Sequence, residues 1–288
     1  MSASWAGSGE DDREDGPPPA PPGVDLAPGY AVVSHLRRGE DLDVYDVWSE
    51  ERGCRCVAKT IRPDRVGHES ATRRLVHEGE LLLRLTHPHI VRAYDLIRGE
   101  APVLVLETLP GETLAHLIDR GEPRLAAAEV AHLGRHLCSA VGYLHRHGIL
   151  HLDLKPSNII ATGGLARVLD LSLARPPGPV KPGIGTLGYM APEQARGGEI
   201  GAAADVWGIG AVLYEVATGE PAWDADDLDD ATDASLRTED LVIPPAAPIR
   251  RHRRLPASLA EAIDASLALD PAGRPSVHDL DSALSRVV

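Results

Sequence analysis

The fold is decided by a stretch of eight residues, 151–158, with the sequence His151-Leu152-Asp153-Leu154-Lys155-Pro156-Ser157-Asn158. Asp153 is a candidate base for the proton of an attacking hydroxyl group. Lys155, two residues later, can neutralise a phosphate, and Asn158 offers a neutral oxygen suited to a hard cation such as Mg²⁺. Taken alone, the stretch could also be a polar loop without chemistry, so the rest of the chain must decide between the two interpretations.

A second carboxylate follows twelve residues after Asn158. Asp170 comes directly after the apolar run 166–169, and a carboxylate at a strand end, near an Asn oxygen, can complete a site for Mg²⁺ and phosphate. These residues resemble the catalytic loop of eukaryotic-like (bacterial, Hanks-type) Ser/Thr protein kinases, whose pattern is His-Arg-Asp-x-Lys-x-x-x-Asn followed by Asp-Phe-Gly. The chain departs from this pattern at Leu152, which replaces Arg, and at 171–172, where Leu-Ser replaces Phe-Gly.

Composition excludes several other classes of protein. The net charge of −14 argues against a protein that binds nucleic acid or an anionic membrane surface. No apolar run approaches the 18 residues of a membrane span, and the acidic N-terminus is not a signal peptide. Three cysteines indicate no disulfide framework and fit a reducing compartment. We therefore expect a cytoplasmic protein.

The ends of the chain and two smaller features complete this survey. Residues 1–28 are acidic and then rich in proline, which predicts a disordered tail, with a proline-motif docking site as the alternative. His132 and His136, four residues apart on a predicted helix, are a candidate metal pair, but no third ligand is evident. The basic run 250–254 is interpreted as a solvated loop or a contact with the aspartates of 224–233 rather than as a nucleic-acid site.

The resemblance extends to the part of the chain before the catalytic loop, where we predict a small, strand-rich lobe over 29–107. Strands are predicted at 30–33, 44–48, 55–59 and 102–107. The segment between the first two corresponds to the Gly-rich loop that covers the ATP phosphates in the family. Only Gly39 remains of its three glycines, since Arg37 and Leu42 occupy the other two positions.

An ATP pocket is implied by the same resemblance. Lys59 ends the third strand, and Glu78 lies on the apolar face of a helix predicted over 69–85, which matches the Lys–Glu pair of the family. Glu80 is the competing partner, but it lies about 200° further around the helix. The other residues implied for the pocket surround the adenine ring or bind it through the backbone: Val44, Val57 and Ile160 around the ring, Leu106 as gatekeeper, and the backbone groups of Glu107 and Leu109.

The larger lobe, 108–288, is predicted to be mostly helical, with helices at 126–147, 204–217, 258–269 and 276–287. Asp205 matches the family aspartate that holds the catalytic-loop backbone, with a plain N-cap as the alternative. Glu193, in an Ala-Pro-Glu motif, would pair with Arg274. Thr186 matches the substrate-side loop of Ser/Thr kinases, and His151 would join a column of side chains that links the lobes.

The resemblance therefore implies an α+β, bilobal protein-kinase-like fold and an ATP-dependent kinase acting on Ser or Thr of a protein substrate, with Mg²⁺, or Mn²⁺ in its place, held by Asn158 and Asp170. A non-catalytic pseudokinase is the alternative, motivated by the reduced glycine loop, by Leu152 and by Leu171-Ser172. We further expect that phosphorylation of the activation segment does not control this kinase, because residues 173–185 contain no Ser, Thr or Tyr.

Overall fold

The structure is a computed structural model that describes residues 16–121, 124–223 and 243–288. Its strands are β1 (Asp25–Ala27), β2 (Tyr30–Arg38), β3 (Leu42–Ser49), β4 (Cys54–Ile61), β5 (Ala93–Ile97), β6 (Val103–Glu107), β7 (Glu112–Thr113), β8 (Ile159–Thr162), β9 (Leu165–Val168), β10 (Gly178–Val180) and β11 (Gly198–Ile200). Its helices are α1 (Glu69–Arg84), α2 (Leu114–Asp119), α3 (Ala127–Arg146), α4 (Pro192–Arg196), α5 (Ala203–Thr218), α6 (Ala257–Ser266) and α7 (Val277–Leu284). Short 3-10 turns lie at Pro63–Arg65, Pro156–Asn158, Ile249–Arg251 and Pro271–Gly273.

The smaller lobe is an antiparallel sheet with one long helix packed on it. The strand order is β1-β2-β3-β4-β6-β5, so β4, which carries Lys59, is an inner strand between β3 and β6. Helix α1 contacts β4, β5 and β6 and buries Leu75, Leu81 and Leu82. Leu75, Leu81 and Leu82 lie three or four residues from Glu78, which is the spacing of one helix face, and Glu78 is buried on that face with them.

The larger lobe is built around α5, whose residues are buried from Ala204 to Thr218. Because α5 is apolar almost all round, it can only be stable when other helices surround it, and α3 and α6 pack against it. Gly210 allows the close contact with α6, since a Cβ atom there would lie 2.7 Å from the Cβ of Ser266. The α+β, two-lobed fold predicted from the sequence is confirmed.

Two features of the larger lobe refine the sequence interpretation. Ser276 caps α7 by accepting a hydrogen bond from the backbone N–H of Asp279. In the basic run 250–254, Arg253 donates to the carbonyl oxygens of Leu125 and Ala217 at 2.7 and 2.8 Å. Arg253 therefore connects the segment before α3 to the C-terminal end of α5. The aspartates of 224–233, the other predicted partners of the basic run, lie outside the described residues. No helix in the described ranges is both long and apolar enough to cross a membrane.

The disordered tail predicted for 1–28 is wrong for the part that the structure describes. Strand β1 pairs with β2, and residues 16–24 continue along the sheet as an arm. The hydroxyl of Tyr45 accepts from the backbone N–H of Ala20 at 3.0 Å, and Arg38 donates to the carbonyl of Pro17 at 2.9 Å. Prolines leave such an arm little conformational entropy to lose, so a few hydrogen bonds from the sheet can hold it. Residues 1–15 lie outside the described residues.

Candidate active site

The backbone of the catalytic loop is held in an unusual conformation by one buried carboxylate. Leu152 has a φ of +67°, a left-handed conformation that costs a branched side chain roughly 1–2 kcal/mol. Asp205, at the start of α5, accepts the backbone N–H of Leu152 at 2.8 Å and that of His151 at 2.9 Å. The ring Nε2 of His145 lies 2.7 Å from the same carboxylate. The hydrogen bonds to Asp205 thus offset the strain at Leu152. Asp205 therefore does more than cap the N-terminus of α5.

His151 is fully buried and fixes the residue that follows the strained position. Its Nδ1 accepts the backbone N–H of Asp153 at 3.2 Å, which leaves Nε2 to carry the proton and donate to the carbonyl of Leu169 at 3.3 Å. The ring therefore connects the catalytic loop to the strand end that carries Asp170, while its place in a column of side chains that links the lobes stays a prediction.

Asp153 is the centre of a cluster of polar side chains. Its Oδ1 accepts from the hydroxyl of Thr186 at 2.6 Å, and its Oδ2 accepts from Nδ2 of Asn158 at 3.0 Å. Nζ of Lys155 lies 3.2 Å from Oδ2 and donates to the Thr186 hydroxyl at 2.7 Å. The structure thus brings the Thr186 hydroxyl to a carboxylate and a cation that lie more than 30 residues earlier in the sequence.

Asn158 and Asp170 offer the oxygen atoms that a magnesium ion requires. The Asn158 amide nitrogen also donates to the backbone carbonyl of Asp153 at 2.9 Å, so its oxygen is the atom that remains for a cation. Asp170 has a φ of +52°, and its Oδ1 accepts the N–H of Ser172 at 2.9 Å. Burial favours the neutral form of Asp170, but the charge of Lys59 outweighs it and lowers the pKa below its usual range. A carboxylate that stays charged and a free amide oxygen fit a divalent cation.

Lys59 forms a buried ion pair with Glu78 of α1. The Nζ–Oε1 distance is 2.7 Å, and the side chains of Lys59 and Glu78 are 9 % and 0 % exposed. Burial opposes the charge of Lys59, yet the carboxylates of Asp170 and Glu78 raise its pKa above the usual range. Burial raises the pKa of Glu78 to about 7. Glu80, the competing candidate, instead pairs with Arg98 on the exposed surface at 2.6 Å.

The residues expected around adenine lie on three neighbouring inner strands of the sheet, β3, β4 and β6, and on β8. Val57 and Leu106 are opposite each other on β4 and β6 and are buried, as is Ile160, whereas Val44 is half-buried. The backbone of Leu109 takes part in no hydrogen bond with other described residues, so both its N–H and its carbonyl are available to a planar ligand.

The side chain of Glu107 forms structural hydrogen bonds and is not the group expected to bind a nucleotide. Its Oε1 accepts from the backbone N–H of Arg92 and from the Arg167 guanidinium, both at 2.9 Å. The carboxylate therefore fastens the segment between the two lobes to β9. The backbone N–H of Glu107 donates to the carbonyl of Arg92 at 2.9 Å, so the carbonyl oxygen of Glu107 is the backbone group expected to bind a nucleotide.

The loop between β2 and β3 is held by arginines that the sequence interpretation missed. Arg62, only 3 % exposed, donates to the carbonyl of Gly39 at 3.1 Å and to that of Glu40 at 3.3 Å. Arg38 makes two hydrogen bonds of 2.9 Å with the buried carboxylate of Asp43. A loop with one glycine is thus fixed by side chains from β2 and from the end of β4, and a charged residue directly after a buried strand was the only sequence indication.

Glu193 and Arg274 form the predicted pair, with distances of 2.6 and 2.9 Å between guanidinium nitrogens and carboxylate oxygens. The guanidinium also lies 4.8 Å from the centroid of the Trp207 ring. The pair connects α4 to the turn before α7 and contacts none of the atoms around Asp153.

The histidine pair of α3 lies apart from this site. His132 and His136 line a groove of about 910 Å³ between α3 and α7, together with Arg135 and Arg146. Among the residues with described positions, no group of three or more His, Cys, Asp or Glu side chains is arranged to hold a metal ion.

A strand-rich lobe with a Lys–Glu pair, joined to a helical lobe with an Asp–Lys–Asn loop, defines the protein kinase class. The family model described as the protein kinase domain matches residues 30–283. The chain therefore belongs to the protein kinase family, and the resemblance to bacterial Hanks-type kinase domains is confirmed.

Several curated bacterial proteins resemble this chain. Serine/threonine-protein kinase PknB of Mycolicibacterium smegmatis is 32% identical over 260 residues, which are 85% of this chain and 39% of that protein. PknB of Mycobacterium tuberculosis is 33% identical with the same coverage. A probable serine/threonine-protein kinase of Streptomyces coelicolor is 32% identical over 68% of this chain and 31% of its own length. The chain thus spans about two fifths or less of the length of these relatives.

Proposed function

We propose that this domain is an ATP- and Mg²⁺-dependent protein kinase that phosphorylates Ser or Thr residues of protein substrates. The observation that carries the proposal is the cluster around Asp153, where Lys155, Asn158 and Thr186 converge on one carboxylate. Nζ of Lys59 lies 3.5 Å from Oδ2 of Asp170, so the lysine proposed to bind phosphate is adjacent to the carboxylate proposed to bind Mg²⁺. The names of the relatives support Ser/Thr specificity.

Each residue has a definite task in this proposal. Lys59, held by Glu78, binds the α and β phosphates of ATP, and its permanent charge supports this role. Asp153 orients the substrate hydroxyl and accepts its proton at a carboxylate oxygen. Lys155 neutralises charge on the transferred phosphoryl group, and Mg²⁺ held by Asn158 and Asp170 would supply further neutralisation when bound.

The hydrogen bond between Thr186 and Asp153 supports a hydroxyl-bearing acceptor. The Thr186 hydroxyl donates to Oδ1 of Asp153 at 2.6 Å, and this contact supports an aliphatic hydroxyl as the acceptor group. The strongly acidic chain supports protein rather than nucleic-acid partners. Its three cysteines are all free thiols, which supports a reducing compartment such as the cytoplasm.

Replacement of Asp153 by Asn tests the proposal. We expect a loss of at least about 100-fold in kcat, because general-base catalysis contributes about 10² to 10⁴ in rate, while ATP affinity changes little. The assay measures transfer of radiolabelled phosphate from ATP with Mg²⁺ to a general protein acceptor. Asp281→Asn, at a surface pair with Arg135, is the matched control and should retain full activity. Equal turnover in both variants would show that Asp153 is not the base.

We also propose that phosphorylation of the activation segment does not switch this kinase on. Leu152 occupies the place of the arginine that would receive the phosphate, and its side chain is buried. The segment has its own support, because Arg175 and Leu150 exchange backbone hydrogen bonds of 2.7 and 3.0 Å, and β10 pairs with β11.

Phosphatase treatment tests this second proposal. The protein is dephosphorylated, the result is verified by mass spectrometry, and initial rates are compared with those of the untreated enzyme. We expect equal rates. A fall of tenfold or more, traced to a site within 172–189, would overturn the proposal.

A nucleotide-binding pseudokinase is the second candidate, favoured by the loop between β2 and β3. Its carbonyl groups at Gly39 and Glu40 are bound to Arg62, and side chains at 37 and 42 limit close approach of the backbone to phosphate. In this case ATP would bind with a measurable Kd, but neither the protein itself nor any added acceptor would be phosphorylated.

A further inference from the structure

One buried amide side chain joins the catalytic loop to the activation segment. Gln194 of α4 is 1 % exposed, and its Nε2 donates to the carbonyl of Leu152 at 2.9 Å and to that of Ile184 at 2.8 Å. Its Oε1 accepts the backbone N–H of Ala191 at 3.0 Å. Both amide hydrogens and the oxygen are therefore used, and a residue that sequence analysis did not single out makes a complete set of bonds.

The two carbonyl groups belong to the residues next to the proposed chemistry. Leu152 immediately precedes Asp153, and its strained conformation is held at the N–H side by Asp205. The Gln194 bond holds the same peptide unit at its carbonyl side. Ile184 lies two residues before Thr186, whose hydroxyl contacts Asp153. The amide thus holds the two segments, one ending at Asp153 and the other at Thr186, whose side chains are in contact.

The geometry of this junction requires glycine at position 185. Gly185 has a φ of +125°, and a Cβ atom there would lie 3.0 Å from Nε2 of Gln194 and 3.1 Å from the Leu152 carbonyl oxygen. A Cβ at these distances would push the amide and the carbonyl apart by a few tenths of an ångström, and the positive φ itself disfavours other residues. The segment is therefore shaped to pass directly over the amide.

We infer that Gln194 is a positioning residue that orders the activation segment in place of a phosphate. In kinases with a phosphate switch, a charged pair between the segment and the arginine before the catalytic Asp does this ordering. Here Leu152 cannot form such a pair. Instead, the neutral amide of Gln194 connects the activation segment to the catalytic loop through two backbone carbonyls. The inference rests on the proposed function, because it assigns to Gln194 the placement of Thr186 and Asp153 for phosphate transfer.

Two substitutions separate the bridge from the role of Gln194 at the start of α4. Gln194→Glu keeps an oxygen for the N–H of Ala191 but has no donor for the two carbonyls when ionised. Gln194→Met removes both functions and keeps the length of the side chain. We expect both variants to lose at least about tenfold in kcat/KM for a peptide substrate, with the Kd for ATP within twofold of wild type.

The pH profile adds a readout that a purely structural role would not move. When the introduced carboxyl group of Gln194→Glu is protonated, it regains one donor. The ratio of its kcat/KM to that of wild type should therefore rise as the pH falls, whereas the ratio for Gln194→Met should stay constant. Full activity in Gln194→Glu at neutral pH, with loss only in Gln194→Met, would overturn the inference, because the bond to Ala191 would then be the one that matters.

Hydrogen exchange tests the inference independently of catalysis. In wild type, the N–H groups of Gly183, Tyr189 and Met190 donate to backbone carbonyls, and we expect their exchange to accelerate at least about tenfold in Gln194→Glu and in Gly185→Ala. Helix α7 serves as an internal reference, since its exchange should not change. Unchanged exchange over 183–190 in both variants would overturn the inference.

The two proposals fail in different ways. If wild type transfers no phosphate but the exchange effect is present, the proposed function fails and the ordering role of Gln194 stands. If wild type is active and neither exchange nor kcat/KM responds to the substitutions, the inference fails and the proposed function stands.

Discussion

Replacing Arg274 by methionine is expected to lower the free energy of unfolding by about 3–5 kcal/mol, the cost of breaking a buried ion pair by removing one partner. The side chain of Arg274 is 0 % exposed and that of Glu193 is 11 % exposed. In wild type the guanidinium binds both carboxylate oxygens of Glu193. The substitution therefore leaves a nearly buried carboxylate without its cation.

The carbonyl groups around the guanidinium place the estimate toward the upper end of this range. Arg274 also donates to the carbonyl oxygens of Ala268 at 2.8 Å, Ala203 at 2.9 Å and Leu269 at 3.3 Å. Methionine retains an apolar stem against Trp207 but no donor, so these acceptors lose their partners as well. At about 2–4 °C per kcal/mol for domains of 150–250 residues, the melting temperature should fall by about 6–20 °C.

Urea denaturation followed by tryptophan fluorescence measures this loss, and the chain provides a matched control. Arg98 and Glu80 form a pair with the same 2.6 Å separation, but their side chains are 60 % and 50 % exposed. Because exposed pairs contribute about 0–1 kcal/mol, Arg98→Met should be nearly neutral. The reasoning is refuted if Arg274→Met destabilises the protein by no more than Arg98→Met does.

Three other predictions concern nucleotide binding and the N-terminal arm. ATP affinity should fall as the pH drops through about 7, because protonation of Glu78, whose pKa is about 7, removes the partner of Lys59; a pH series of Kd values should lose this step in Glu78→Gln. Asp170→Ala should abolish the Mg²⁺ dependence of ATP binding, and a titration in which Mg²⁺ still strengthens binding would point to another carboxylate. Compared with a chain that starts at Gly16, one that starts at Asp25 loses four hydrogen bonds to the sheet, two from side chains and two between backbone groups, and its free energy of unfolding should be lower by about 2–6 kcal/mol; equal urea midpoints would contradict this.

Much of the site could be predicted from short stretches of sequence. Asp153, Lys155 and Asn158 lie within six residues, so the spacing of the motif identifies them together. Helix α1 was predicted over 69–85 and runs from Glu69 to Arg84, because its leucine spacing is a local property of the chain. The same period selected Glu78 over Glu80, and the structure pairs Glu78 with Lys59.

Other contacts join residues that are far apart in sequence and could not be predicted from it. Gln194 bonds to a carbonyl 42 residues away, and any buried amide needs partners that only the folded chain supplies. The only sequence indication at Arg62 is a charged residue directly after a buried strand. Because such a residue is normally solvated, the sequence does not predict that its guanidinium binds carbonyls of the loop between β2 and β3.

The sequence by itself determined the kinase fold and the main polar residues of the cleft, because periodicity and motif spacing act over short distances. Only the tertiary structure decided the state of residues 16–28. Their composition cannot form a core, which predicts disorder, but Tyr45 and Arg38 of the sheet provide hydrogen bonds to the arm. The free energy that orders this segment comes from contacts with a surface formed by other parts of the chain. The order of the segment therefore cannot be predicted from its own sequence.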